Sequence, residues 1–149
     1  MPRRELHHPH QVTEWLEEWG RALKEPGSMT LIGSAALLWH VAHIGRDDPL
    51  PDNSMDADPV TEDESVAELA YDALIGSEFE AQHGWHVNLM PRSALAALPA
   101  GWEARAYVAP YGNLTVTVPV VSDLLAPKLA RGEPRDLRHA EFMRSLDLE

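Results

Sequence analysis

The chain contains no cysteine, which removes thiolate metal sites, thiol nucleophiles and disulfides from consideration. It has no apolar run of membrane-spanning length, and the basic start Met1-Pro2-Arg3-Arg4 is not followed by the apolar stretch of a secretory leader. These absences set the expectation of a cytoplasmic protein with no membrane partner. Basic residues are scarce, with 12 Lys and Arg against 24 Asp and Glu and a formal charge of −12. Phosphate neutralisation needs cationic excess, so the balance argues against broad electrostatic binding to nucleic acid or anionic membrane. There is no Gly-x-x-x-x-Gly-Lys loop and no Gly-x-Ser-x-Gly elbow, so neither a Walker-type NTPase nor a serine hydrolase is indicated.

What is present reads as one domain of 149 residues, made of an N-terminal helix (1–27), a sheet core (28–121) and C-terminal helices (122–149). Five tryptophans, Trp15, Trp19, Trp39, Trp85 and Trp102, are scattered as core anchors rather than grouped as a stacking platform. Charge is uneven: twelve acids and no Lys or Arg lie between Asp47 and Glu80, whereas the tail carries Lys128, Arg131, Arg135, Arg138 and Arg144. The acidic stretch is either a solvated face or a surface for cations or a basic protein partner.

Periodicity supplies the elements. Val12, Trp15, Leu16, Trp19 and Leu23 recur at helical spacing, with Thr13 as the expected cap and Pro26-Gly27 as the stop. Ser28 to Ile32 reads as a buried strand running into Gly33-Ser34 and an apolar helix. Gly45 to Asn53 reads as a surface loop, Ser54 to Val60 as a second strand, and Ser65 to Gln82 as one helix closed by Gly84. Trp85 to Met90 is the expected third strand, and Arg92 to Leu98 a short helix or turn. Glu103 to Ala109 and Leu114 to Val121 form an expected antiparallel hairpin, and helices follow Ser122 and Glu133-Pro134. This order predicts an α/β (α+β) fold, a mixed sheet flanked by helices with further helices at the C-terminus.

Two features carry chemistry. A strand ending in Gly33-Ser34 at a helix start offers backbone N–H groups, a hydroxyl and the helix dipole to a phosphate, although a plain tight turn capped by Ser34 has the same sequence. Asp56 and Asp58, two apart on a strand, point to one face, where both carboxylates reach a hard divalent cation. Two acids side by side without a cation repel each other, so something must compensate.

Gly33-Ser34 before a helix, Ser54-Met55-Asp56-Ala57-Asp58 on the next strand, and the tail segments Leu124-Leu125-Ala126-Pro127-Lys128-Leu129 and Arg135-Asp136-Leu137 form an ordered set. That set resembles the nucleotidyltransferase superfamily, in particular bacterial uncharacterised and toxin-antitoxin-associated members. The resemblance implies a nucleotidyltransferase-like sheet and Mg²⁺ held by Asp56 and Asp58. It further implies a nucleoside triphosphate bound at Gly33 and Ser34, Lys128 meeting phosphate charge, and Asp136 orienting Lys128 or an arginine. The implied activity is transfer of a nucleotide from the triphosphate to an acceptor such as RNA or protein, as in toxin-type enzymes. Asn88 stands where the family carries a third catalytic acid, and an amide ligates weakly but cannot act as a base. The alternative is therefore a catalytically degenerate member that binds a nucleotide, a metal or a partner.

The histidines form a separate group. His7, His8 and His10 are possible transition-metal ligands on an unanchored terminus. His40 and His43 share a helix face, and a zinc site there would need His83, His86 or the acidic loop to complete it. His86 shares a strand face with Asn88 and reaches the Asp56 cluster if the strand registers agree.

Overall fold

The computed structural model describes Leu6 and residues 8–52 and 56–148. His7, and Ser54-Met55 at the expected start of the second strand, lie outside the described residues.

Helix α1 spans Pro9–Ala22. Its N-cap is His8 rather than Thr13: Pro9 presets the first helical φ, and Gln11 Oε1 accepts the His8 N–H at 2.8 Å. Thr13 lies a turn inside, its hydroxyl donating to the His10 carbonyl. The buried stripe is Val12, Trp15, Leu16 and Trp19, with Trp15 edge-on to Trp85. Strand β1 (Gly27–Ile32) leads directly into α2 (Gly33–His43), which is buried nearly all round.

The remaining strands are β2 (Asp56–Val60), β3 (His86–Val87), β4 (Tyr107–Tyr111) and β5 (Leu114–Val118), in the order β3-β2-β1-β5-β4. β1 runs antiparallel to β2 and parallel to β5, β2 and β3 are parallel, and β4 and β5 form a hairpin turned by Gly112-Asn113. Helix α1 must contain glycine where it meets this hairpin, because a Cβ on Gly20 would lie 1.8 Å from the Tyr111 carbonyl oxygen. The sheet is thus mixed and flanked by helices, as the element order predicts.

Period-two alternation assigns the faces. Met29, Leu31, Ala57, Val87 and Val116 enter the core against α1 and α2, and that core runs continuously from Leu6 to Met143. The opposite face carries Thr30, Ile32, Thr117, Asp56 and Asp58 and is only partly covered. Helices α6 (Val121–Arg131) and α7 (Pro134–Ser145) complete the chain, with Pro127 inside α6 and Pro134 in the first turn of α7. All five tryptophans are buried. Among the described residues no helix is long and apolar enough to cross a membrane.

Four expectations are corrected. The helix over Ser65 to Gln82 is two helices, α3 (Glu64–Tyr71) and α4 (Glu78–His83): Gly76 turns the chain at φ +83°, and Ser77 caps α4 by accepting the Glu80 N–H. The third strand shrinks to His86–Val87 with an isolated bridge at Met90. The Ala57 and Pro59 carbonyls accept from Asn88 and Met90 on the β3 side, so the N–H that Pro59 lacks is missing from that same ladder. Third, Glu103 does not begin a strand. Gly101, at φ +82°, opens a short helix α5 (Trp102–Arg105) that buries Trp102 and pairs Arg105 with Asp123. Finally, Gly27 belongs to β1, and the strand expected over Leu114 to Val121 ends at Val118, with Val121 already in α6.

Candidate active site

The site begins at the β1–α2 junction. Ile32 occupies the N-cap position with extended backbone, so Ser34 lies inside the first turn of α2 and is not its cap. Gly33 has φ +73°, and a Cβ there would sit 2.8 Å from Asp58 Oδ2. Glycine is required at this point by both conformation and space. Ile32 is also the register partner of Asp58 across β1 and β2. The Gly-Ser turn and the acidic strand are thereby brought to one place.

Asp56 and Asp58 share the partly open face and line one cavity with Gly33 and Ser34. The Asp58 carboxyl is pushed up to about 6 by burial first and by the neighbouring Asp56 second, with Asn88, Lys128 and His86 acting in the opposite direction. Asn88 faces the pair: its Nδ2 donates to Asp58 Oδ1 at 3.4 Å. His86 is the register partner of Asp56 in the parallel β2–β3 ladder, and its Nδ1 is 2.7 Å from Glu80 Oε2. The register condition set for His86 by the sequence is met. Glu80 was missed because it lies in α4, where no spacing rule connects it to a strand histidine.

The facing wall comes from α6 and α7. Lys128 is buried, its Nζ 3.3 Å from His139 Nδ1 and 3.8 Å from Asp136 Oδ1. Burial lowers the Lys128 pKa, and Asp136 partly offsets this. Asp136 accepts both guanidinium N–H groups of Arg131, at 2.8 and 3.2 Å, and is held below the usual carboxylate range chiefly by that bond. Asp136 therefore orients an arginine and stands beside Lys128. His139 Nε2 lies 2.8 Å from the Pro51 carbonyl, which can only accept, so Nδ1 carries the lone pair that meets the Lys128 ammonium. Arg131, His139 and the Pro51 carbonyl carry no sequence signal; they reach Lys128 only through helix packing.

Between the two walls lies a cavity of about 510 Å³, with Asp56 and Asp58 on one side and Lys128, Arg131 and Arg135 on the other. The acidic middle of the sequence and its basic tail meet across this space, and Arg138 pairs with Asp52 nearby. A polyanion bearing a hard cation matches both walls: the cation answers the carboxylates, and the anionic oxygens answer the α6–α7 cations and the α2 N-terminus.

The remaining histidines do not assemble into the zinc set considered from sequence. His40 Nε2 is 2.7 Å from the Pro119 carbonyl, His43 stacks on Trp39, and His83 Nδ1 is 2.9 Å from the Phe79 carbonyl. Among the described residues, the group of three His, Asp or Glu ligand atoms within 4.8 Å of one another is His8, His10 and Asp47. His8 and His10 are thus tied to a loop, contrary to the expectation of an unanchored terminus.

No protein-family model matches the chain, and neither a curated protein nor a solved structure matches it.

Proposed function

We propose that this chain is a nucleotidyltransferase-like protein whose cavity binds a nucleoside triphosphate with Mg²⁺ and transfers a nucleotide to an acceptor hydroxyl, in the manner of toxin-type enzymes. The observation that carries this reading is the meeting of Gly33-Ser34, Asp56 and Asp58 with Lys128 and Arg131 around one cavity.

The donor set fits Mg²⁺. Both carboxylates are hard oxygen donors, Asp58 is raised by burial and then by its neighbour's charge, and Mg²⁺ is commonly held by one or two carboxylates with phosphate and water completing the shell. When bound there, Mg²⁺ would supply charge neutralisation on the phosphates and acidify the attacking hydroxyl. The chain's own groups take the other roles. The Gly33 and Ser34 N–H groups and the Ser34 hydroxyl bind phosphate oxygens, and Lys128 and Arg131 stabilise the charge that develops on them. Asn88 holds Asp58 but cannot take a proton. His86, oriented by Glu80 through Nδ1, keeps Nε2 as its acceptor nitrogen, and we assign it the base role that the missing third acid leaves open.

The second reading, a binding module without turnover, is favoured by Asn88. One experiment tests both: calorimetry with Mg²⁺ and a non-hydrolysable triphosphate, paired with transfer of label from a hydrolysable one. Binding with transfer supports the enzyme, binding without transfer supports the module, and absence of binding overturns both.

A further inference from the structure

We infer that His8, His10 and Asp47 form a binding site for a single divalent transition metal, Zn²⁺ foremost, that clamps the N-terminus of α1 to the loop following α2. This inference is independent of the proposed nucleotide chemistry.

The three side chains come from segments far apart in sequence. His8 is the N-cap of α1 and His10 the second residue of its first turn. Asp47 reaches them from the loop after α2, where its Oδ1 accepts the His10 backbone N–H at 2.9 Å. That bond holds the carboxylate in place at the helix start, where negative charge is favoured. His10 Nδ1 lies 3.0 and 2.9 Å from the two Asp47 oxygens, and His8 Nδ1 lies 3.7 Å from Oδ2. Ligands sharing one Zn²⁺ at bond lengths of about 2.0–2.2 Å stand roughly 3–3.6 Å apart in a tetrahedron. His10 and Asp47 therefore already stand near the spacing a metal imposes, and ligand atoms of all three residues lie within 4.8 Å of one another.

Two imidazoles and one carboxylate select a borderline metal over Mg²⁺ or Ca²⁺, which prefer all-oxygen shells. All three side chains are one-third or more exposed, His8 least at 35 % and Asp47 most at 53 %. The fourth position therefore opens to water, and the metal has a direct entry path. The clamp has a structural consequence. The same loop continues to Pro51 and Asp52, which bond His139 and Arg138 of α7, and then towards β2. Metal at His8, His10 and Asp47 fixes the other end of this loop to α1.

The test is calorimetry of the whole chain with Zn²⁺ alone, in wild type, His8→Asn and His10→Gln. Asn retains a capping side chain at position 8, and His10 is exposed, so both variants keep the helix start. The expected result is one Zn²⁺ per wild-type chain, at least about tenfold weaker in each variant. A rise in wild-type melting temperature on adding Zn²⁺ should be lost in the double variant. Excess Mg²⁺ should not displace the Zn²⁺ from wild type. Co²⁺ provides a readout that needs no variant: a tetrahedral visible spectrum is expected with wild type. Absence of Zn²⁺ binding, wild-type affinity in His8→Asn and His10→Gln, displacement by Mg²⁺, or an unchanged aqueous Co²⁺ spectrum would each overturn the inference.

Discussion

The Asn88 amide nitrogen lies 3.4 Å from Asp58 Oδ1, placing an uncharged donor beside the Asp56–Asp58 pair. The amide steadies Asp58, because its hydrogen bond opposes the upward push that burial and Asp56 exert on that carboxyl. Asn88→Asp replaces this donor with a third negative charge. The variant should melt lower than wild type without metal and gain more thermal stability from Mg²⁺. Melting curves with and without Mg²⁺ check this; an identical Mg²⁺ response in both proteins would separate Asn88 from the site.

Asp58 also predicts a pH dependence. Its pKa rises from 3.8 to about 6 on folding, so the folded state holds this proton more tightly than the unfolded chain does. Stability is therefore largest below about pH 4 for this group and declines as pH rises to about 6, by an amount on the order of 3 kcal/mol. Asp58→Asn should be more stable than wild type at pH 7 without metal, and the gap should close on acidification. Urea unfolding of both proteins at pH 4.5 and pH 7.5 measures it; an equal gap at the two pH values would contradict the assignment.

His86 and Glu80 should separate rate from binding. If His86 accepts the proton, His86→Gln lowers the transfer rate by about 10²–10⁴-fold while triphosphate affinity stays near wild type. Glu80→Gln, which leaves the ring but weakens its orientation, should lower the rate less. Single-turnover transfer paired with equilibrium binding reads both quantities, and equal losses of rate and affinity would assign His86 to binding alone.

Gly33 should tolerate no side chain. Gly33→Ala meets Asp58 Oδ2 at 2.8 Å in a left-handed backbone conformation, which predicts a loss of about 1–3 kcal/mol. Combining it with Asp58→Ala removes the contact but keeps the backbone strain, so the double variant should recover only part of the loss. Chemical denaturation of the single and double variants gives the partition.

Much of this molecule is local in origin. The α1 stripe of Val12, Trp15, Leu16 and Trp19 follows from helical period, and the shared face of Asp56 and Asp58 from strand period, since both patterns are properties of consecutive residues. The β4–β5 hairpin and the Gly33-Ser34 junction follow from turn and strand signals of the same range. Structure departs from local pattern where a preference meets a break or a tertiary demand. Gly76 divides a segment whose apolar pattern is continuous, and Pro59 limits β3 only because its missing N–H falls on that side of the sheet.

The site's second wall was decided by packing alone. Lys128 could be picked from the tail motif, but its bonds to His139 and Asp136 and the link from His139 to Pro51 join residues that no periodicity relates. The same holds for Glu80 with His86 and for Asp47 with His8 and His10. Side-chain type and backbone period determine which face a residue presents. Which partner it meets there depends on how helices and loops distant in sequence close over the sheet, and that is settled by burial of the common core.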